Sequence, residues 1–236
     1  MAFLPFAEVF LALAAGLSNF ISGLLPLYTR VRNVDTRYII GFSAGAMLAV
    51  VFAEILPEIR VEANFPLLAL GFFSFYLMEK LIMIHSCGEK ECDSHAVGWV
   101  AVFGMSSDNI VDGAGIAAGY VLNPLTGVLI TLAVILHEIP QGITTAILMA
   151  KGKFGRRKTF LALGAQAALY PIGAALAFLL PPELKTPLMA FVAGDFLYIA
   201  ASDLLPEAHK RFNLQVVASV LLGAITFYAI EVLVKL

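Results

Sequence analysis

The chain has 236 residues, of which 60% are hydrophobic and 14% charged, with a net charge of −2. Mean hydropathy is +0.90, and a soluble domain would carry about a quarter charged residues, so the polar surface cannot cover a water-soluble globule and a membrane protein remains. The charge balance gives no footing for nucleic-acid binding, and at about 20 apolar residues per span the length allows eight or nine spans with almost nothing outside the bilayer.

Charge clusters, Pro and Gly separate eight apolar stretches, near 3–27, 37–59, 64–84, 97–120, 124–150, 159–180, 187–208 and 213–234. They predict an all-α polytopic fold of eight transmembrane helices, one domain over 1–236. The first stretch carries only Glu8 and lacks the basic segment of a cleaved signal, so it reads as a helix. Short connections make neighbouring helices antiparallel. Residues 42–59, FSAGAMLAVVFAEILPEI, align without gaps to 191–208, FVAGDFLYIAASDLLPEA, with Glu54 matching Asp203. These are helices two and seven, which cross in opposite directions, so the expectation is an inverted repeat with substrate held near the midplane.

The longest loop, 85–96, contains His85, Cys87, Cys92 and His95. Cys-x₄-Cys is not a zinc-finger spacing, and cytosolic thiols stay reduced, so a loose metal relay, a plain solvated loop and a structural metal site all stay open. The loops and helix ends after helices one, three, five and seven hold Arg30, Arg32, Arg37, Lys80, Lys90, Lys151, Lys153, Arg156, Arg157, Lys158, Lys210 and Arg211. Only Arg60, Lys185 and Lys235 fall on the other side. Basic loops face the cytosol, so both termini are expected outside a cell membrane.

The chemistry sits in helices four and five. Helix four reads SSDNIVDGAG, with Asp108, Asn109 and Asp112 on one face; helix five reads VILHEIPQGI, with His137, Glu138 and Gln141 at the same spacings. The hexads DNIVDG and HEIPQG share one pattern, polar-polar-x-x-polar-Gly, and antiparallel helices can turn these faces together. Ionisable groups at a helix centre cost about 2.5–3.5 kcal/mol each. Three carboxylates and an imidazole repel one another unless a cation or protons intervene. Carboxylate, amide and imidazole suit Zn²⁺, Fe²⁺, Mn²⁺ and Cd²⁺. Pro140 deprives the Leu136 carbonyl of its helical donor, which makes that oxygen a further candidate ligand, and Gly113 and Gly142 allow close helix approach.

Other residues are less informative. Glu54, Glu58, Asp203 and Glu207 lie near the interfaces, where a place in the ion path and a solvated helix end stay equally open. Glu79 and Lys80 are adjacent and not expected to face each other. His209 reads as an interfacial residue, and Asp195 has no assignment. His137-Glu138 also suggests an intramembrane metalloprotease, but that chemistry needs His-Glu-x-x-His, and Gln141 stands at the fifth place. The chain is therefore read as no enzyme. A proton-driven carrier of a non-metal cation is the remaining alternative.

At its two hexads and its Leu-Pro-Glu helix endings the sequence resembles the ZIP family of divalent metal transporters. AGDFLYIAASDLLPE is similar to that family's seventh helix. The resemblance implies transport of Zn²⁺ as substrate, with Fe²⁺, Mn²⁺ and Cd²⁺ as further cargoes, through a metal site between helices four and five. Carried over by position, one ion would use Asp108, Asp112, His137 and Gln141, and another Asn109, Asp112, Glu138 and Gln141. It also implies two bundles, helices one, four, five and six sliding against two, three, seven and eight. The sequence departs where Asp108 replaces the usual His, Gln141 the usual Glu or His, and Tyr170 a Glu frequent in prokaryotic relatives. One principal ion, in a site less selective for Zn²⁺, is the expectation. Protons as co-substrate and a homodimer stay open as partners.

Overall fold

The structure, a computed structural model, describes residues 7–28, 36–87, 99–210 and 213–235. Eight long helices run through them: α1 (Ala7–Tyr28), α2 (Arg37–Glu58), α3 (Val61–Cys87), α4 (Trp99–Leu122), α5 (Pro124–Lys151), α6 (Arg156–Phe178), α7 (Pro182–Ala208) and α8 (Leu214–Lys235). No strand occurs among the described residues. All but α4 meet the length and apolarity needed to cross a membrane among those residues. Helix α3 runs on through Cys87, so the backbone of His85 and Cys87 is helical and not part of a loop; the rest of the expected 85–96 loop lies almost wholly outside the described residues.

Large apolar side chains point outward around the molecule, among them Phe10, Ile21, Phe52, Phe73, Leu161, Leu221 and Tyr228. Hydrocarbon is the solvent that makes such a surface stable. Small residues fill the interior, where Ala12, Ala15, Ala46, Ala117, Ala133, Ala174 and Ala193 are buried in one core.

Close approach of backbones decides which helices pair. A Cβ at Gly45 on α2 would meet the Val220 carbonyl of α8, and one at Gly194 on α7 would meet the Leu68 carbonyl of α3. These glycines match in the repeat, so the repeat is visible in packing as well as in sequence. A Cβ at Gly142 on α5 would likewise strike the Asn19 carbonyl of α1, and one at Gly113 on α4 the Tyr170 carbonyl of α6. Helices α1, α4, α5 and α6 thus form one tightly fitted group, while α2 pairs with α8 and α3 with α7, the two pairs meeting through α2 and α7 as a second group. Between the groups the glycine contact is softer: Gly115 on α4 faces only the side chain of Val192 on α7.

Helices α2 and α7 each widen into a π-helical turn, at Val51–Ile55 and Ile199–Leu204. Both turns lie just before a proline, Pro57 or Pro206, where the missing N–H already breaks the hydrogen-bond ladder.

Candidate metal centre

Helices α4 and α5 meet at a sharp turn. The Asn123 side chain accepts a hydrogen bond from the Leu125 N–H at 3.0 Å, and Pro124 opens α5, a placement that needs no N–H donor. From this turn Asp112 lies roughly 16 Å and His137 roughly 21 Å along their helices at 1.5 Å per residue. Both therefore fall near the middle of a hydrocarbon core about 30 Å thick.

There Asp112, His137 and Glu138 come together, each offering one ligand atom within 4.8 Å of the others. His137 Nε2 is 2.8 Å from Glu138 Oε1 and 3.4 Å from Asp112 Oδ2, and all three side chains are buried. Neither contact has hydrogen-bond alignment, so the lone pairs converge on a common space instead of on one another. His137 Nδ1 lies 3.4 Å from the Ala133 carbonyl. With the proton assigned to Nδ1, that contact orients the ring and leaves Nε2 as a ligand. Two carboxylates and a neutral imidazole carry two negative charges, which a divalent cation neutralises while taking one nitrogen and several oxygens.

The other three hexad residues behave differently. Gln141 Nε2 donates to Asn109 Oδ1 at 2.9 Å, and Asn109 Nδ2 donates to the Gln166 carbonyl at 3.2 Å. These amides tie α4, α5 and α6 together beside the convergent three. Asp108 lies one turn along α4, half-buried and outside the group of three.

The Leu136 carbonyl, expected as a candidate ligand, has another partner: it accepts from Ser43 Oγ of α2 at 2.8 Å. The carbonyl freed by Pro140 therefore joins the two helix groups. The Ser43 hydroxyl also lies 2.8 Å from the Ile39 carbonyl, and its single hydrogen can serve only one of them at a time. Glu79 and Lys80 do meet, with Nζ 2.8 Å from Oε1, and the Tyr198 hydroxyl of α7 also hydrogen-bonds to Glu79. Glu54 is buried and accepts from Thr126 Oγ1 at 3.0 Å, so it is no solvated helix end.

Asn19 and Ser22 at the centre had escaped sequence reasoning, and Tyr170 had stood out only as a departure from the family pattern. Asn19 on α1 donates through Nδ2 to Glu138 Oε2 at 2.6 Å, with both groups buried. Ser22, one turn on, lies 3.4 Å from the Glu138 carbonyl. The buried hydroxyl of Tyr170 on α6 feels the charges of Glu138 and Asp112 and forms no hydrogen bond of ordinary geometry. The signal that could have found Asn19 and Tyr170 is Gly142 and Gly113, whose missing side chains admit α1 and α6 at those two residues.

Residues 84–231 match the family model described as ZIP Zinc transporter. The chain belongs to this family. Its similar proteins include Zinc transporter ZIP13 of Pongo abelii, 25% identical over 223 residues, 79% of this chain and 66% of the relative. Zinc transporter foi of Drosophila melanogaster is 31% identical over 60% of this chain and 20% of its own length. Metal cation symporter ZIP8 of Rattus norvegicus is 25% identical over 53% of this chain and 28% of its own. The matched regions thus span two thirds or less of these longer relatives. Seven helices long and apolar enough to cross a membrane among the described residues accord with membership of that family.

Proposed function

We propose that this ZIP protein carries divalent metal ions through the bilayer, with Zn²⁺ as principal substrate and Fe²⁺, Mn²⁺ and Cd²⁺ as further cargoes. The observation that carries the reading is the convergence of Asp112, His137 and Glu138 within 4.8 Å at mid-helix. Asp112 and Glu138 supply the compensating charge, and His137 Nε2 supplies the nitrogen. Asn109 and Gln141, bonded to each other 2.9 Å apart, hold the two helices in register and offer amide oxygens when that bond opens. Asp108 receives the ion on the side holding most Lys and Arg, which is the cytosolic side of an uptake carrier with both termini outside. The 85–96 loop, with Cys92 and His95, then accepts it in the cytosol.

Movement follows from the helix grouping. The backbone-to-backbone glycine contacts fall within each group of four, whereas Gly115 meets only a side chain across the boundary. A boundary of side chains slides at lower cost than one locked by backbone contact. The centre rides on one group, so displacement along α2 and α7 exposes it alternately to each side. Zn²⁺ uptake into proteoliposomes loaded with a zinc-sensitive dye tests this. Asp112→Ala should abolish uptake while membrane insertion and melting stay near wild type; normal uptake by that variant overturns the assignment.

A further inference from the structure

One buried carboxylate takes no part in the centre as described. Asp195 on α7 is fully buried, and neither of its oxygens has a hydrogen-bond partner. The groups whose charge it feels are Asp108, Asp112, His137 and Asp203. It belongs to the other helix group from the central three, so it faces them across the boundary.

Register fixes its height. The links α4–α5, α5–α6 and α6–α7 are short, so α4 and α7 run antiparallel. Gly115 on α4 and Val192 on α7 touch and define a common level. Counting from it toward the end rich in Lys and Arg, Asp112 and Asp195 lie three residues down, Asp108 seven and Asp203 eleven. At 1.5 Å per residue Asp112 and Asp195 stand level on facing helices, Asp108 lies about 6 Å lower, and Asp203 lies further down, within the widened turn of α7. Asp108, Asp112 and Gly115 share one face of α4 by their spacing. Accessibility rises along the same line: Asp195 is buried, Asp108 half-buried and Asp203 exposed.

Charge counting makes the same point. Fully ionised, Asp108, Asp112, Glu138 and Asp195 would put four negative charges in one stretch of membrane interior. A single divalent ion held by Asp112, His137 and Glu138 neutralises two of them. Asp108 and Asp195 are left, on facing helices, with no Lys or Arg among the groups that act on either. Buried charges are found paired or holding a cation.

We propose that Asp195 and Asp108 hold a second divalent cation at the α4–α7 boundary, beside Asp112 and reaching one turn further toward the Lys- and Arg-rich side. This inner site takes the cargo ion with carboxylate oxygens and water, a harder set than the centre with its imidazole. Its ligands sit on opposite helix groups, so the site forms and breaks as the groups slide. It is the station an ion reaches on leaving Asp112 and before Asp203. The order of stations rests on the proposed function, but the existence of the site does not.

Counting bound Cd²⁺ on the purified full-length protein, by elemental analysis after equilibrium dialysis, tests the site. Wild type should bind two equivalents. Asp195→Asn and Asp108→Asn should each lose the same single equivalent, and the double variant should lose no more than either alone. Glu138→Gln, aimed at the centre, should lose the other. Melting of the cation-free proteins shows that each variant is folded, and Asp108→Asn serves if Asp195→Asn is not. A folded Asp195→Asn that binds as many ions as wild type overturns the inner site. If Glu138→Gln loses no ion while Asp195→Asn loses one, the central reading fails and the inner site stands.

Discussion

Asn19→Ala tests how α1 controls the centre. The Asn19 amide holds Glu138 Oε2 at 2.6 Å, and no solvent reaches either group to replace it. A hydrogen bond to a charged acceptor contributes about 1.5–3 kcal/mol. Without it the Glu138 carboxylate is free to rotate away from the space it shares with His137 and Asp112, and it must be reoriented before a cation binds. At about 1.4 kcal/mol per decade, Zn²⁺ affinity should fall roughly 10- to 100-fold, the range seen when a partner that orients a ligand is removed. Ser22→Ala, whose hydroxyl donates to the Asn19 carbonyl at 3.0 Å and lies 3.4 Å from the Glu138 carbonyl but reaches no ligand atom, should cost roughly threefold or less on the weak-bond end of the same scale. The assay is competition for Zn²⁺ between purified protein and a fluorescent chelator, with melting of the zinc-free variants as the folding control. Asn19→Ala binding Zn²⁺ as tightly as wild type, while Glu138→Gln loses the central ion, would refute the claim that α1 positions this ligand.

The Ser43–Leu136 bond exists because Pro140 leaves that carbonyl without a helical donor. Ser43→Ala should thus destabilise by about 0.6–1.5 kcal/mol in wild type and by much less in Pro140→Ala, which a double-mutant cycle on melting resolves; equal costs in both backgrounds would count against the link. Gly45→Ala and Gly194→Ala each drive a Cβ into a backbone carbonyl, whereas Gly155→Ala meets open space. Melting should report about 1–3 kcal/mol lost at each of the first two and almost nothing at the third. Metal binds the deprotonated forms of His137, Asp112 and Glu138, so Zn²⁺ affinity should rise between roughly pH 5 and 7.5. A flat titration over that interval would exclude these groups as ligands.

The helices were legible because a bilayer leaves few options. Apolar runs of about 20 residues between charge clusters place every helix within a few residues of its observed ends. The repeated Leu-Pro-Glu endings pointed to two helices that share a widened turn. At the centre, hexad spacing placed Asp112, His137 and Glu138, with Asp108, Asn109 and Gln141, on faces that two antiparallel helices can turn together. It could not separate the first three from Asn109 and Gln141, because helical phase gives the face of a residue and not its partner. Asn19 lies on a helix with no hexad, and only the fit at Gly142 brings it in; Tyr170 stood out as a departure from the family, but its place at the centre depends on the fit at Gly113. Asp195 was noticed as odd in its stretch, but its meaning depends on which residue of α4 lies level with it. Local sequence carries no such cross-helix register.

The widened turns at Val51–Ile55 and Ile199–Leu204 also bear on the origin of the chain. A π turn accommodates one surplus residue, and gaining or losing it rotates everything beyond by about 100°. Had the surplus arisen separately in each half, the ungapped alignment of 42–59 with 191–208 would require the same accident twice at matched places. A single ancestral segment that already carried the bulge, and was then copied into the opposite orientation, accounts for both with one event. Deleting Ala53 or Ser202 would undo that inheritance in one half alone, turning the paired Leu-Pro-Glu endings onto different faces of their helices.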